Sequence, residues 1–199
     1  MATSKPAPAS KKFPMPVPEL ATPRLLLRPL TLADAPAIQH AFARWEIVRY
    51  LADRVPWPYP EDGALAFLRD AALPAMAQGR EWHWSLRPRQ EPGRLIGVVS
   101  LMDDPDNNRG FWIVPEWQGQ GLMTEAAAAV TAYWFEVLGK PRLRVPKAAA
   151  NIASSRISAR GGMRMVATEE RGYVSGRLPS EIWEITREEW LARRGNTTG

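Results

Sequence analysis

The segment from Phe111 to Val137 joins an apolar strand, a glycine-rich turn and an alanine-rich helical pattern without interruption. Gly119 and Gly121 carry no Cβ, so a ligand can approach the backbone of the turn closely. The first N–H groups of the helix beginning at Leu122 have no intrahelical acceptor and lie at the positive end of the helix dipole. The segment therefore predicts an anion site suited to a pyrophosphate. The alternative is a turn whose glycines only permit positive φ.

The composition limits the classes of protein to which the chain can belong. Its 199 residues, 45% of them hydrophobic, suit one domain with a sizeable core. The absence of cysteine excludes disulfides and thiolate ligands, and two histidines are too few for zinc, so no metal site is expected. No apolar run approaches the roughly 20 residues that span a bilayer, and the N-terminus lacks the apolar core of a signal peptide. We therefore expect a cytoplasmic protein with no membrane partner.

The net charge of +5 is concentrated near the N-terminus. Three lysines precede the first acidic residue, and without them the 26 basic residues become 23 against 21 acidic ones. Residues 1–18 are expected to be a disordered tail, with a polybasic arm as the alternative. The nearly balanced remainder does not indicate nucleic acid. We expect one domain over residues 19–194 and a C-terminal tail over 195–199.

Helical and strand patterns alternate along this domain, so the fold class is α/β (α+β). The predicted strands cover 24–29, 82–86, 95–101, 111–114, 143–145, 163–167 and 181–186. The predicted helices cover 31–44, 61–77, 122–138 and 151–161. Thr31 and Asp34 have the spacing of a capping box, and Gly139 followed by Pro141 ends the third helix.

In this order the motifs resemble the GCN5-related N-acetyltransferase (GNAT) superfamily, in particular its ribosomal-protein N-terminal acetyltransferases. Gln118–Met123 matches the family marker Arg/Gln-x-x-Gly-x-Gly/Ala except at the last position, which holds methionine. Asn151–Ser154 is similar to the Asn-x-x-Ser helix start of the family, and Gly162–Met163 to its Gly-Phe. Trp190 corresponds to its terminal tryptophan. The resemblance covers residues 20–192.

The resemblance implies a central mixed, mostly antiparallel sheet, flanked by helices and splayed between the fourth and fifth strands of the family. It implies acetyl-coenzyme A as cosubstrate, with its pyrophosphate on N–H groups of the loop and its pantetheine on the freed edge of the fourth strand. The residues so assigned to coenzyme A are Ile113, Val114, Gln118, Gly119, Gln120, Gly121, Leu122, Met123, Thr124 and Asn151.

The chemistry implied by the resemblance is direct transfer. A neutral amine attacks the thioester carbonyl, a backbone N–H of the fourth strand stabilises the oxyanion, and a thiolate leaves. Ser154 occupies the position that resembles the acid protonating this thiolate. The alternative role of its hydroxyl is to cap its own helix.

The general base stays unassigned in the sequence. Val166 and Asn108–Arg109 stand where relatives often carry carboxylates. His83 is a candidate because a histidine pKa lies near neutrality, although a core or edge histidine is the more frequent role. Glu169–Glu170 is expected to be a pair of solvated loop charges.

Aromatic residues are numerous, with nine tryptophans. Trp45, Trp134 and Trp183 lie on apolar stripes and are expected in the core. Trp57 and Tyr59 lie in a proline-flanked loop matching the region that walls the acceptor site in relatives. Such rings can hold an amine by cation–π contact, and loop packing is the alternative.

These observations predict an acetyl-coenzyme A-dependent N-acetyltransferase acting on a protein N-terminal α-amine or a small monoamine, as a monomer or homodimer. The missing carboxylates leave a second class open, a non-catalytic acyl-coenzyme A sensor or interaction module. A nucleic-acid-binding tail is a third.

Overall fold

The computed structural model describes residues 16–195. At the start of this range the Pro18 carbonyl oxygen accepts a hydrogen bond from Trp84 Nε1 at 2.7 Å. The chain is therefore attached to the domain close to the first described residue. The expectations for residues 1–15 and 196–199 lie outside the described part of the chain.

Strands and helices alternate along the described chain. The strands are β1 (Leu20–Ala21), β2 (Leu25–Pro29), β3 (Glu81–Pro88), β4 (Gly97–Met102), β5 (Arg109–Ile113), β6 (Arg142–Ala148), β7 (Arg164–Tyr173) and β8 (Gly176–Thr186). The α-helices are α1 (Ala35–Phe42), α2 (Trp45–Val48), α3 (Gly63–Phe67), α4 (Leu73–Ala77), α5 (Leu122–Ala132), α6 (Ile152–Arg160) and α7 (Arg187–Gly195). One π-helical turn, Leu68–Ala72, joins α3 to α4, and another, Tyr133–Val137, extends α5.

The strands form two sheets. The first has the order β1-β2-β3-β4-β5 and the second the order β6-β8-β7. Every neighbouring pair in both sheets is antiparallel. The break in the ladder falls between β5 and β6, which correspond to the fourth and fifth strands of the family, so the predicted splay is confirmed.

Asn108 holds the two sheets together at one end of the break. Its backbone N–H donates to the Arg144 carbonyl oxygen at 2.8 Å, and its Oδ1 accepts from the Arg144 N–H at 2.7 Å. Its amide nitrogen also donates to the carbonyl oxygens of Met102 and Asp104. Asn108, found where relatives often carry a carboxylate, thus joins the two sheets by hydrogen bonds at the point from which β5 and β6 diverge.

The core lies where α5 packs against the first sheet. This helix contacts β2, β4 and β5, and its Ala126 and Val130 are fully buried. Trp84 of β3 meets Tyr133 edge-on, with 5.5 Å between ring centroids. Full burial of a large apolar side chain contributes about 1.5–3 kcal/mol. The packing therefore fixes α5, and the glycine-rich turn before it, relative to β5.

Two expectations about single residues are wrong. Trp45 is 41% exposed on α2, where it packs against the Trp57 ring instead of the core. Glu169 and Glu170 belong to β7 and pair with β8, rather than to a loop. The strand is exposed along most of its length, so it lacks the apolar alternation by which a sequence reveals strands.

Candidate active site

The glycine-rich turn forms a cradle of backbone donors. Gly119 and Gly121 have φ values of 74° and 78°, in the left-handed region that favours glycine. The first backbone hydrogen bond of α5 joins the Glu125 N–H to the Gly121 carbonyl oxygen at 3.1 Å. The N–H groups from Gly119 to Thr124 have no acceptor among the described residues. No atom lies within 4 Å of the position that a Cβ on Gly119 would take, so the cradle fits a pyrophosphate.

Arg24 and Glu125 stabilise this turn by hydrogen bonds. Arg24 donates from Nη1 to the Gln120 carbonyl oxygen at 2.8 Å and from Nε to Glu125 Oε2 at 2.7 Å. Thr22 Oγ1 donates to Glu125 Oε1 at 2.5 Å. Burial acts to raise the pKa of Glu125, but the hydrogen bonds from Thr22 and Arg24 outweigh it and lower that pKa. The carboxylate therefore stays charged and fixes the Arg24 guanidinium beside the turn.

A cavity of about 540 Å³ extends from this turn into the gap beside β5. The predicted coenzyme A residues that line it are Ile113, Gln118, Gly119, Gly121, Leu122, Met123, Thr124 and Asn151. Arg49, Arg156 and Arg160 also line it and supply positive charge for phosphate groups. We call it the first cavity.

Val114, also predicted to contact the pantetheine, has no free backbone group. Its N–H donates to the Ile96 carbonyl oxygen at 2.9 Å, and its carbonyl oxygen accepts from the Trp117 N–H at 3.0 Å. Because backbone groups alternate in direction along a strand, Phe111 and Ile113 face the gap instead. Phe111, which the sequence reading did not include, therefore replaces Val114 among the candidate contacts.

A second cavity of about 590 Å³ lies on the other side of the break between the sheets. The residues that line both cavities are Tyr50, Leu51, Phe111, Asn151 and Ser154. A ligand in one cavity can therefore meet a ligand in the other at this shared wall. The carboxylates lining the second cavity are Asp53, Asp104, Glu169 and Glu170, and its basic residues are Arg54, Arg109, Lys147, Arg171 and Arg177.

Ser154 lies in the shared wall with its hydroxyl held by Lys147. Lys147 Nζ donates to Ser154 Oγ at 2.8 Å, and both side chains are buried. The cap of α6 is made by Asn151, whose Oδ1 accepts from the Ser154 N–H at 3.2 Å. The hydroxyl is therefore not used as a helix cap, the alternative role considered for it.

Two buried basic side chains, Lys147 and Arg109, lie beside this hydroxyl. Burial lowers the pKa of Lys147 well below its usual value, the charge of Arg109 lowers it further, and Glu181 opposes both. Burial also lowers the pKa of Arg109 to about 10. Arg109 donates from Nη1 to Thr131 Oγ1 at 2.8 Å. The sequence predicted no role for Lys147, because it lies beyond the predicted strand 143–145 and β6 carries Arg142 and Arg144 as well.

His83, the candidate base of the sequence reading, lines neither cavity. It is buried on β3, with Nδ1 2.6 Å from Ser100 Oγ and Nε2 2.7 Å from Glu81 Oε2. Its hydrogen-bonding capacity is thus used within the protein, which agrees with the core or edge role.

Trp57 and Tyr59 also lie away from both cavities. The Trp57 ring is 5.4 Å from that of Trp45, and the Tyr59 ring is 4.9 Å from that of Phe42. Burial raises the pKa of Tyr59 to about 12, so its hydroxyl stays protonated near neutrality. The structure therefore does not bring the predicted acceptor residues to Ser154.

No three His, Asp or Glu residues within 16–195 come together as metal ligands. In the same range no helix has the length and apolar character needed to cross a bilayer.

Comparison with known proteins places the chain in a family. Residues 24–164 match the model of the acetyltransferase (GNAT) domain. The uncharacterized N-acetyltransferase YoaA of Bacillus subtilis (strain 168) is 30% identical over 152 residues, covering 74% of this chain and 83% of that protein. Two solved structures share the fold. RimL, a ribosomal L7/L12 α-N-protein acetyltransferase in complex with coenzyme A, matches with a TM-score of 0.72 and 14% identity, over 85% of this chain and 97% of that one.

The second structure is the ribosomal-protein-S5-alanine acetyltransferase from Vibrio fischeri, with a TM-score of 0.72 and 15% identity, over 86% of this chain and 98% of that one. The family model covers most of the chain, and a relative at 30% identity carries the name of an N-acetyltransferase. The chain belongs to the GNAT family and is an acetyl-coenzyme A-dependent N-acetyltransferase.

Proposed function

We propose that this enzyme acetylates the α-amine at the N-terminus of a protein, and that the second cavity receives that amine. The observation that carries the proposal is the shared wall at Ser154, where one cavity suited to coenzyme A meets another lined by charged side chains. The peptide that follows the acceptor amine would leave through the mouth of the second cavity. A cytoplasmic location accords with such a substrate.

The cofactor half of the site is supplied mainly by backbone. The N–H groups from Gly119 to Thr124 would hold the pyrophosphate. The gap-facing groups of Phe111 and the N–H of Ile113 would pair with the pantetheine, since the Ile113 carbonyl oxygen already accepts from Gln118 Nε2 at 3.0 Å. When bound, acetyl-coenzyme A supplies an activated acetyl thioester. An N–H on the gap side of β5 would stabilise the charge that develops on the carbonyl oxygen.

The acceptor half favours a peptide over a polycation. Its four carboxylates can attract an ammonium group, but the four arginines beside them oppose the binding of several positive charges at once. A peptide presents one α-amine together with backbone and side chains of either sign. A small monoamine satisfies the same chemistry with fewer contacts, so its expected affinity is lower.

Two segments that line the second cavity hydrogen-bond to each other. The Val174 N–H donates to the Leu51 carbonyl oxygen at 2.9 Å, and Ala52 pairs with Tyr173 in an isolated bridge. The turn between β7 and β8 is thus joined to the chain after α2. Binding residues on a rigid scaffold of this kind are suited to select a peptide.

The proposal is tested with a panel of acceptors and purified protein. The panel contains peptides with free seryl, alanyl and methionyl N-termini, the same peptides with blocked N-termini, tyramine, spermidine and kanamycin. Coenzyme A release and the mass of the product are measured. We expect turnover with free peptides and none with blocked ones, because only the α-amine is acetylated.

Higher kcat/KM for spermidine or kanamycin than for every peptide would contradict the proposed acceptor class. Binding of coenzyme A without turnover of any acceptor on a broad panel would favour a sensor instead.

A further inference from the structure

Lys147 has an environment unusual for a lysine. Its side chain is 6% exposed, and its Nζ lies 4.7 Å from the centre of the Phe111 ring. Ser154 Oγ is the one hydrogen-bond acceptor that the described residues give this Nζ, at 2.8 Å. Lys147 lines the second cavity, and Ser154 lines both. A titratable amine thus lies between the acceptor side and the hydroxyl beside the cofactor side.

The charges around Lys147 favour its neutral form. Arg109 of β5 repels a proton on Nζ, and burial removes the water that would solvate one. On β8, Glu181 attracts a proton, but its Oε2 already accepts hydrogen bonds from Ser155 Oγ at 2.6 Å and Trp183 Nε1 at 2.8 Å. The Phe111 ring favours the charged form weakly. The remaining charged groups that face the cavity are Asp53, Arg54, Asp104, Glu169, Glu170, Arg171 and Arg177.

The direction of the Lys147–Ser154 hydrogen bond is the one that proton transfer needs. Nζ donates to Oγ, so the hydroxyl proton of Ser154 is not used in this bond and can be donated elsewhere. A thiolate leaving on the side of the first cavity requires such a donor. The amine that attacks from the second cavity requires an acceptor for its proton, and a neutral Nζ is one.

We propose that Lys147 is a catalytic residue, the base that takes a proton from the acceptor amine and passes one to the leaving thiolate through Ser154. The amine nitrogen forms a bond to the acetyl carbon and the carbon–sulfur bond breaks. The nitrogen loses one proton to Nζ, and Ser154 gives its hydroxyl proton to sulfur and recovers one from the Lys147 ammonium. One proton has then moved from nitrogen to sulfur, and no other reactant is consumed.

The relay rests on the proposed function, because the proton enters from the second cavity. It also supplies the base that the sequence left unassigned at Val166 and Asn108. An ordinary structural role is the competing explanation: Lys147 would only tie β6 to α6 by its bond to Ser154. The tests below therefore measure quantities that a tie between two elements does not change.

The first test is a direct titration of Lys147, which needs no acceptor. The five lysines, Lys5, Lys11, Lys12, Lys140 and Lys147, are few enough for selective ¹³Cε labelling and NMR. K147R identifies the resonance, and Lys140, whose Nζ lies 2.6 Å from Asp103 Oδ1, is the reference. We expect Lys147 to titrate well below the others. Titration of Lys147 at the usual pKa of about 10.4 would overturn the relay.

The second test is the pH dependence of the single-turnover rate with acetyl-coenzyme A and the most active free peptide. K147M removes the amine, whereas K147R keeps a charge and a donor but cannot lose its proton near neutrality. We expect both variants to lose about 10²-fold or more in rate and to lose the ionisation that controls the parent profile. S158A removes a hydroxyl of the same helix that lines neither cavity and has no hydrogen-bond partner among the described residues, so it serves as the control with parent behaviour.

The two proposals fail in different ways. If the parent enzyme uses amines other than peptides, the acceptor assignment is wrong, and the relay is measured with the amine that is used. If K147R keeps the parent rate and pH profile, the relay is wrong whatever the acceptor.

Discussion

The two cavities that meet at Ser154 are built from different parts of the chain. The first is formed mainly by backbone: the N–H groups of the glycine-rich turn and the gap-facing edge of β5. The second is formed by charged side chains from segments far apart in sequence, including Asp53, Asp104, Arg109 and Glu169. Backbone donors are present in every sequence that can form the turn, whereas each charged side chain depends on the residue at one position.

This difference separates recognition of the cofactor from recognition of the acceptor. A site made of N–H groups at a helix start binds phosphate with little help from side chains. Substitutions around the second cavity can therefore change the acceptor without loss of coenzyme A binding. Fold and family membership therefore predict recognition of coenzyme A but do not predict which acceptor is bound.

Ser154→Ala is expected to have the largest effect, because Ser154 belongs to both cavities. Loss of a general acid typically lowers kcat by about 10²-fold or more, whereas the contacts of the turn with coenzyme A remain. Steady-state kinetics should show the fall in kcat with little change in the KM for acetyl-coenzyme A.

Ser158→Ala is the matched control, since it removes a hydroxyl on the same helix that lines neither cavity and has no hydrogen-bond partner among the described residues. A kcat of the Ser154→Ala variant within about twofold of the parent would leave Ser154 as a structural residue.

Gly121→Val is expected to have the next largest effect, and on the first cavity alone. A branched side chain is strained at a φ of 78°, and it would stand beside Arg24 at the edge of the cradle. Backbone strain of about 1–3 kcal/mol corresponds to roughly 5- to 150-fold weaker binding of coenzyme A if the turn changes conformation to relieve it. Isothermal titration calorimetry measures the Kd.

Gly139→Val is the control for strain itself. Gly139 has a φ of 64° and lies after the π-helical turn that extends α5, remote from the cradle. The Gly139→Val variant should also lose stability, but its affinity for coenzyme A should equal that of the parent. If the folded Gly121→Val variant bound coenzyme A as tightly as the parent, the assignment of the pyrophosphate to this turn would be wrong.

The same contrast explains what the sequence could predict. The turn and α5 follow from local pattern, because glycine spacing and apolar periodicity act within about a dozen residues. The hydrogen bonds between Asn108 and Arg144 join two segments that are far apart in the sequence, so no local pattern reveals them. The wall around Ser154 is likewise assembled from distant segments.

One further feature follows from a local sequence pattern. The helix α7 begins with a capping box: the Thr186 N–H donates to Glu189 Oε2 at 2.8 Å, and the Glu189 N–H donates to Thr186 Oγ1 at 3.2 Å. The burial of Lys147 could not be predicted in this way, because its strand β6 also carries Arg142 and Arg144. The mutual packing of Trp45 and Trp57 likewise follows only from the tertiary structure.

Charge changes at the second cavity should have smaller effects, confined to the acceptor. Asp53→Asn and Glu170→Gln each remove an exposed carboxylate that can attract an ammonium group. Exposed ion pairs contribute about 0.2–1 kcal/mol, so the KM for a free peptide should rise by up to about fivefold. The Kd for coenzyme A should stay unchanged, as should both constants in Glu61→Gln, which lines neither cavity. Added salt should reduce the difference from the parent. A change in coenzyme A affinity would show that the two cavities are not independent.

Trp57→Ala is expected to have the smallest effect. It distinguishes the acceptor-site role predicted from the sequence from the surface packing against Trp45 seen in the structure. As an acceptor wall, Trp57 should hold the amine, and its loss should raise the KM for the acceptor. As a partner of Trp45 on the surface, it should leave both substrates within about twofold of the parent and lower only the melting temperature. The indole is 42% exposed, so the loss of stability should be modest. We expect the second result, because the second cavity is walled by Tyr50, Phe111 and Lys147 instead. A selective rise in the acceptor KM would mean that a bound peptide extends beyond the second cavity and reaches this loop.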